Sequence, residues 1–147
     1  MDILYNYNNG EANCIIEEHN IIGVGNATCH PEDSDVASEK TGLYIAELRA
    51  TIHFLQNKKA TKLKPALTAL KHLYATMNHS KQFNFYSYEA KRIRKEIKNL
   101  EKEINQINCS IALIHNRLKE YINDKDKMAK WYRNKNKEKI NNGITNL

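Results

Sequence analysis

Over the first 28 residues, apolar and polar positions alternate in short runs separated by turn formers. Ile3 to Tyr7, then Asn8-Asn9-Gly10, then Ala12 to Glu18 predicts a β-hairpin, because Asn-Gly supplies the positive φ angles that tight hairpin turns need. Ile21 to Thr28 predicts a third strand, in which Gly23 and Gly25 imply a bulge or a close backbone approach. Pro31 ends that strand, and Glu32, Asp33, Ser34, Asp35 and Ser38 offer oxygens to a turn and to the first amides of a helix. The period then becomes helical. Leu43, Ile45, Ala46, Leu48, Ile52 and Leu55 predict a helix from about Glu39 to Gln56, with one face able to cover the sheet. A second helix, from about Lys64 to Met77, opens with Pro65 and repeats Leu67, Leu70, Leu73 and Tyr74.

The most regular pattern follows the break at Asn78-His79-Ser80. Ile93, Ile97, Leu100, Ile104, Ile107, Ile111, Ile114, Leu118 and Tyr121 alternate spacings of four and three, a 3.5-residue repeat. Such a seam suits packing between chains first and packing on its own domain second, and isoleucine at both seam positions leans toward trimers or larger bundles. The expected fold class is α+β: a small N-terminal antiparallel β-sheet, two packing helices and a long C-terminal oligomerising helix. The units are a small α+β domain over 1–80, a heptad helix over 81–122, and a basic, partly disordered tail over 123–147.

With 147 residues the chain holds one ordinary domain, and its 41% apolar content leaves room for core completed by association. A net charge of +6 hides a division: residues 1–50 carry −7 and residues 51–147 carry +13. Separated charge of this kind favours contact between the halves and leaves positive potential for an anion such as phosphate. Three cysteines, Cys14, Cys29 and Cys109, have no C-x-x-C spacing, and no secretory leader is recognisable, which together suit a reducing cytoplasm. No apolar run is long enough for a membrane span.

Catalytic and metal chemistry find no support in the motifs. Cys14, His19, Cys29 and His30 converge if their strands are neighbours, but their spacing matches no zinc module, and a strand cysteine is usually a small buried hydrophobe. The run Glu32-Asp33-Ser34-Asp35 lacks the glycine and distant glutamate of a calcium loop. No cofactor and no catalytic residues are therefore expected. Binding residues are easier to find. Phe83, Phe85, Tyr86 and Tyr88 lead into Lys91, Arg92, Arg94 and Lys95, a mixture that can stack a base and fork onto phosphate. The alternative is an aromatic cap on the helix core with a solvated basic face. Arg49 stands alone as the first arginine of an acidic segment, and Arg117 sits late in the long helix; in a chain with 18 lysines and five arginines, both are candidates for bidentate recognition or for surface ion pairs.

The stretch Gly25 to Ala50, GNATCHPEDSDVASEKTGLYIAELRA, followed by a long Lys/Glu/Ile helix, resembles small phage-encoded proteins in which a strand ending in Cys-His-Pro-x-Asp leads to a G-x-x-x-A-x-x-R-A helix. Among these it is most similar to the Thoeris anti-defence sponge family. The resemblance covers about Gly23 to Ala50 in motif and the remainder in element order. It implies a non-enzymatic protein that binds cyclic ADP-ribose signals, and in some members other cyclic nucleotides, in pockets between subunits, and so starves a TIR-based defence effector. It implies Arg49 as a phosphate ligand and, from element order, Phe83 to Tyr88 and Arg117 as further contacts.

The expected function is thus sequestration of a cyclic nucleotide by Arg49, Phe83, Phe85, Tyr86, Tyr88, Arg92, Arg94 and Arg117. The expected assembly is a homo-oligomer joined through Ile93, Ile97, Leu100, Ile104, Ile107, Ile111, Ile114 and Leu118, in the cytoplasm of an infected host. The alternatives are a phage module that inhibits a host protein, including an anti-CRISPR, and a basic nucleic-acid-binding protein.

Overall fold

A computed structural model describes residues 1–28 and 39–145, the side chains of residue 129, of residues 131–133 and of residues 135–145 excepted. Three strands, β1 (Asp2–Asn8), β2 (Glu11–Glu18) and β3 (Ile21–Thr28), form one antiparallel meander in the order β1-β2-β3. Both connections are two-residue turns. Asn9 and Gly10 have φ of 50° and 82°, and His19 and Asn20 have φ of 50° and 65°, so each turn has the doubly left-handed form whose twist matches that of the strands. Asn-Gly announces the first turn. The second lacks a glycine and relies on asparagine's tolerance of this region.

The pairing runs without a bulge, with Cys14 opposite Tyr5 on one side and Gly25 on the other. Gly23 and Gly25 therefore mark the other expectation, close approach. A Cβ on Gly25 would collide with the backbone of Ala46 and Ala50, and one on Gly23 with the backbone of Ala50 and with Phe54. Helix α1 (Glu39–Lys58) lies in the trough these glycines leave, placing Ala46, Ala50 and Phe54 against Ala12, Cys14, Ile16, Ile21 and Ala27.

Helix α1 has two apolar faces where the sequence suggested one. Leu48 and Ile52 turn away from the sheet onto Leu118, flanked by Ile111, Ile114 and Ile122. The result is three layers: sheet, α1 and the long helix α3 (Tyr88–Thr145). α1 also continues without a break, through a π-helical turn (Lys59–Leu63), into α2 (Lys64–Asn78). The Lys64 amide donates to the Lys59 carbonyl, five residues back. This wider turn stands immediately before Pro65, whose ring would otherwise crowd the preceding helical carbonyls. The Thr61 hydroxyl donates to the Asn57 carbonyl at 2.7 Å within the same stretch.

α3 runs back antiparallel along α2 and then α1, as the pairs Arg94–Tyr74, Glu101–Lys71 and Tyr121–Tyr44 show. The heptad stripe thus meets the chain's own helices. Ile93, Ile107 and Leu118 are buried, while Ile97, Leu100, Ile104, Ile111 and Ile114 are half-covered. The helix begins at Tyr88, later than the expected residue 81, and its backbone stays helical through the segment from Asn123 expected to fray, as far as Thr145. Among the described residues no helix is long and apolar enough to cross a membrane.

Candidate functional site

The aromatic-basic cluster sits at the bend between α2 and α3. Two tight turns build the bend: the Phe83 amide donates to the Ser80 carbonyl at 3.1 Å, and the Ser87 amide to the Asn84 carbonyl at 3.0 Å. Side chains reinforce both. The Asn84 Oδ1 accepts from the Tyr86 amide at 2.9 Å, and the Ser87 Oγ accepts from the Ala90 amide at 3.2 Å, capping the start of α3.

This frame fixes Arg94. Its guanidinium carbon lies 3.6 Å from the centroid of the Phe85 ring and 5.9 Å from that of Tyr74, whose hydroxyl accepts from an Arg94 nitrogen at 3.0 Å. Tyr74 in turn meets Phe83 edge-on at 5.9 Å, and Phe85 meets Tyr86 at 5.2 Å. The charge is therefore held by stacking and a hydrogen bond, each of which limits the rotamers open to a long side chain. Tyr86 and Tyr88 are 75% and 80% exposed, so neither ring belongs to the core, and Lys91, Arg92 and Lys95 are exposed beside them. Tyr74, read in the sequence as part of a leucine stripe, is the contributor that pattern alone concealed.

Arg49 occupies a different part of the molecule. Its guanidinium donates to the Asn26 carbonyl at 2.7 Å; one turn on, His53 Nδ1 accepts from the Val24 amide at 2.9 Å; one turn further, Asn57 Nδ2 donates to the Ile22 carbonyl at 2.7 Å. Helix side chains spaced by four meet strand groups spaced by two, and together they seal the outer edge of β3. The bond from Val24 requires His53 Nδ1 to be unprotonated. The polar stripe Arg49, His53, Asn57 was visible in the sequence as an i, i+4, i+8 series, but its partner edge was not.

Arg117 is exposed on α3, 23 residues beyond Arg94 and so roughly 35 Å along the helix. Arg49 is level with it, since the adjacent Leu48 packs on Leu118, yet its guanidinium turns to β3. One chain thus gathers Phe83, Phe85, Tyr86 and Arg94 around Tyr74 at the bend, carries exposed Tyr88 and Arg92 on another face of the first turns of α3, since residues two apart lie about 200° apart round a helix, and leaves Arg49 and Arg117 apart from both.

An open groove of about 870 Å³ lies between β1, α1 and α3, lined by Tyr5, Glu39, Lys40, Leu43, Tyr44, Glu47 and Tyr121. Tyr44 and Tyr121 meet edge-on at 4.6 Å, and the Lys125 ammonium stands 5.3 Å from the Tyr121 centroid. Partial burial raises the Tyr5 hydroxyl above its usual range, and the charge of Glu47 and a hydrogen bond to it add to the shift. Beneath the groove, burial and then the Glu47 charge push up the Cys14 thiol. Cys14 is fully buried, as a small core hydrophobe would be. Among the described residues no three histidine, cysteine or acidic side chains gather as a metal site, and Cys29 and His30, together with the acidic run from Glu32 to Asp35, lie outside those residues.

No family model, no curated protein and no solved structure matches this chain.

Proposed function

We propose that the protein binds and sequesters a small cyclic nucleotide of the cyclic ADP-ribose type, breaking no bond in it. The observation that carries this reading is the stacked Arg94, a guanidinium fixed over the Phe85 ring, which in turn meets the exposed ring of Tyr86 edge-on. A base stacks on an exposed ring, phosphate oxygens take the guanidinium forks, and the amino-terminal end of α3 adds a favourable partial positive charge. The motif around Arg49 and the sponge family it resembles supply the ligand class and the phage setting. Arg49 and Arg117, distant from the bend in one chain, join such a site from a neighbouring chain, with half-covered Ile97, Leu100 and Ile104 offered to that neighbour.

The test is calorimetric titration of the protein with cyclic ADP-ribose isomers and with cyclic di- and trinucleotides, followed by heating and recovery of the ligand. Tight binding with intact release is expected, and Arg94→Ala should weaken it by about tenfold or more while the oligomeric mass is kept. A chemically altered ligand refutes sequestration. A second reading, a protein-inhibiting module, is favoured by the apolar row Leu4, Ile15 and Val24 across the outer sheet face, 66%, 40% and 40% exposed. Absence of binding to every nucleotide in the titration would favour it.

A further inference from the structure

The two edges of the sheet are treated differently. In each two-residue hairpin the flanking residues exchange both their hydrogen bonds, so Asn8 pairs fully with Glu11, and pairing alternates from there. Asn6, Leu4 and Asp2 therefore bond to β2, while the amides and carbonyls of Ile3, Tyr5 and Tyr7 point outward. The same count in β3 turns Ile22, Val24 and Asn26 outward, and these are the residues that Asn57, His53 and Arg49 meet. Among the described residues no side chain or backbone group bonds the outward amides and carbonyls of Ile3, Tyr5 or Tyr7 as Asn57, His53 and Arg49 do those of β3. β1 also has no lysine, no proline and no bulge, the usual devices that keep an edge from pairing.

We infer that β1 is a self-pairing edge, joining the β1 strand of a second copy antiparallel about a two-fold axis through Tyr5. Three features of the strand select this occupant and this register. With Tyr5 opposite Tyr5 and Ile3 opposite Tyr7, every outward backbone group in both strands finds a partner. Displacement by two residues in either direction leaves some of them unpaired. The side chains agree: Ile3, Tyr5 and Tyr7 share the helix-side face, where the pairs become aromatic with aromatic and aromatic with β-branched, both favourable across strands. On the outer face Leu4 meets Asn6 and Asp2 meets Asn8, so the only charge in the strand faces a neutral amide rather than its own copy. Ile3 and Tyr5, 38% and 50% exposed because α1 lies over β2 and β3, become interior to a six-stranded sheet.

The axis stands perpendicular to the sheet, so both α1 helices lie on one face and the two tyrosine-lined grooves adjoin across the axis. The pairing does not depend on which ligand the protein binds. Light scattering coupled to size exclusion reads it directly on the full chain. Tyr5→Pro removes an outward amide without touching a β1–β2 bond, and edge strands accept proline in that orientation. The wild-type assembly should lose half its mass in this variant, or its dissociation constant should rise about tenfold or more, with circular dichroism retained. A wild-type chain that stays single at every concentration, or an assembly whose mass and dissociation are unchanged by Tyr5→Pro, overturns the inference.

If the proline variant does not fold, oxidative cross-linking decides. In a Cys14→Ala, Cys29→Ser, Cys109→Ser background, Tyr5→Cys should form a disulfide between copies, because hydrogen-bonded cross-strand pairs are about 5.5 Å apart at Cα. Leu4→Cys should not. Cross-linking at position 4 in preference to position 5 refutes the register, and none at either refutes the pairing.

Discussion

Gly25→Ala adds one methyl group where the sheet and α1 touch. The new carbon meets the backbone of Ala46 and Ala50, with the Ala50 Cα only 3.0 Å away, and backbone cannot yield without moving the helix. α1 must retreat by roughly 1 Å or more before carbon contacts return to about 3.5–4 Å, and a gap of that size forfeits a quarter to a half of the attraction across it. Phe54, whose burial is worth roughly 1.5–3 kcal/mol, loses part of its contact with the sheet, and the bonds from Arg49, His53 and Asn57 to β3, each worth about 0.5–1.5 kcal/mol, lengthen together. Against this, alanine restricts the unfolded chain and returns about 0.4–1 kcal/mol. The balance is a loss of about 3 kcal/mol, a large fraction of an ordinary domain's stability and equivalent to a fall in melting temperature of roughly 6–12 °C.

Thermal and urea denaturation followed by circular dichroism measure the loss, with Gly42→Ala as the matched control. There the added carbon meets no backbone atom; it comes to 3.2 Å from Ala12 Cβ, a tight contact that must relax by a few tenths of an ångström, and to 3.7 Å from Tyr7 Cε2, while alanine is favoured over glycine in a helix by about 1 kcal/mol. The two effects oppose each other, so Gly42→Ala should melt close to the wild-type temperature and well above Gly25→Ala. A Gly25→Ala protein that melts as high as the wild type would refute the close approach of α1 to β3.

Two further outcomes concern the titrating groups. In a Cys29→Ser chain, a thiol reagent should label exposed Cys109 at once and buried Cys14 only as fast as the protein unfolds; rapid labelling of both would refute the burial of Cys14. Cys14 and Tyr5 both have folded-state values raised above their ordinary 9.0 and 10.0, so the unfolded chain loses these protons first. Their contribution to stability is complete below about pH 9 and is lost as pH rises through the folded-state values. Urea midpoints should fall across that alkaline window, less steeply in Tyr5→Phe, and parallel curves for the two proteins would remove Tyr5 from the effect.

The elements of the fold were legible because each rests on a local cause: Asn9-Gly10 for the first turn, the helical period from Leu43 onward, the unbroken 3.5 repeat from Ile93. What each element touches was less legible. A 3.5-residue stripe packs equally well on a helix of its own chain or of another, so Ile93 to Leu118 named a seam without naming its partner. Pro65 marked the start of α2 correctly but concealed that the π turn carries α1 into it. At the bend, Phe83, Phe85 and Arg94 were recognisable by type, whereas Tyr74 is 20 residues from Arg94 and carries no local signal of the contact. Arg49 stood out by its rarity, and its partner, the Asn26 carbonyl, is backbone and so has no signature in the sequence at all.

The sealed edge of β3 sets a limit on growth. An exposed strand on both sides of a sheet makes a bifunctional unit, able to add copies indefinitely in the manner of a fibre. With Arg49, His53 and Asn57 standing where a fourth strand would bond, the sheet is monofunctional in the polymer chemist's sense: it can be extended at β1, and after one such union there is no end left to extend.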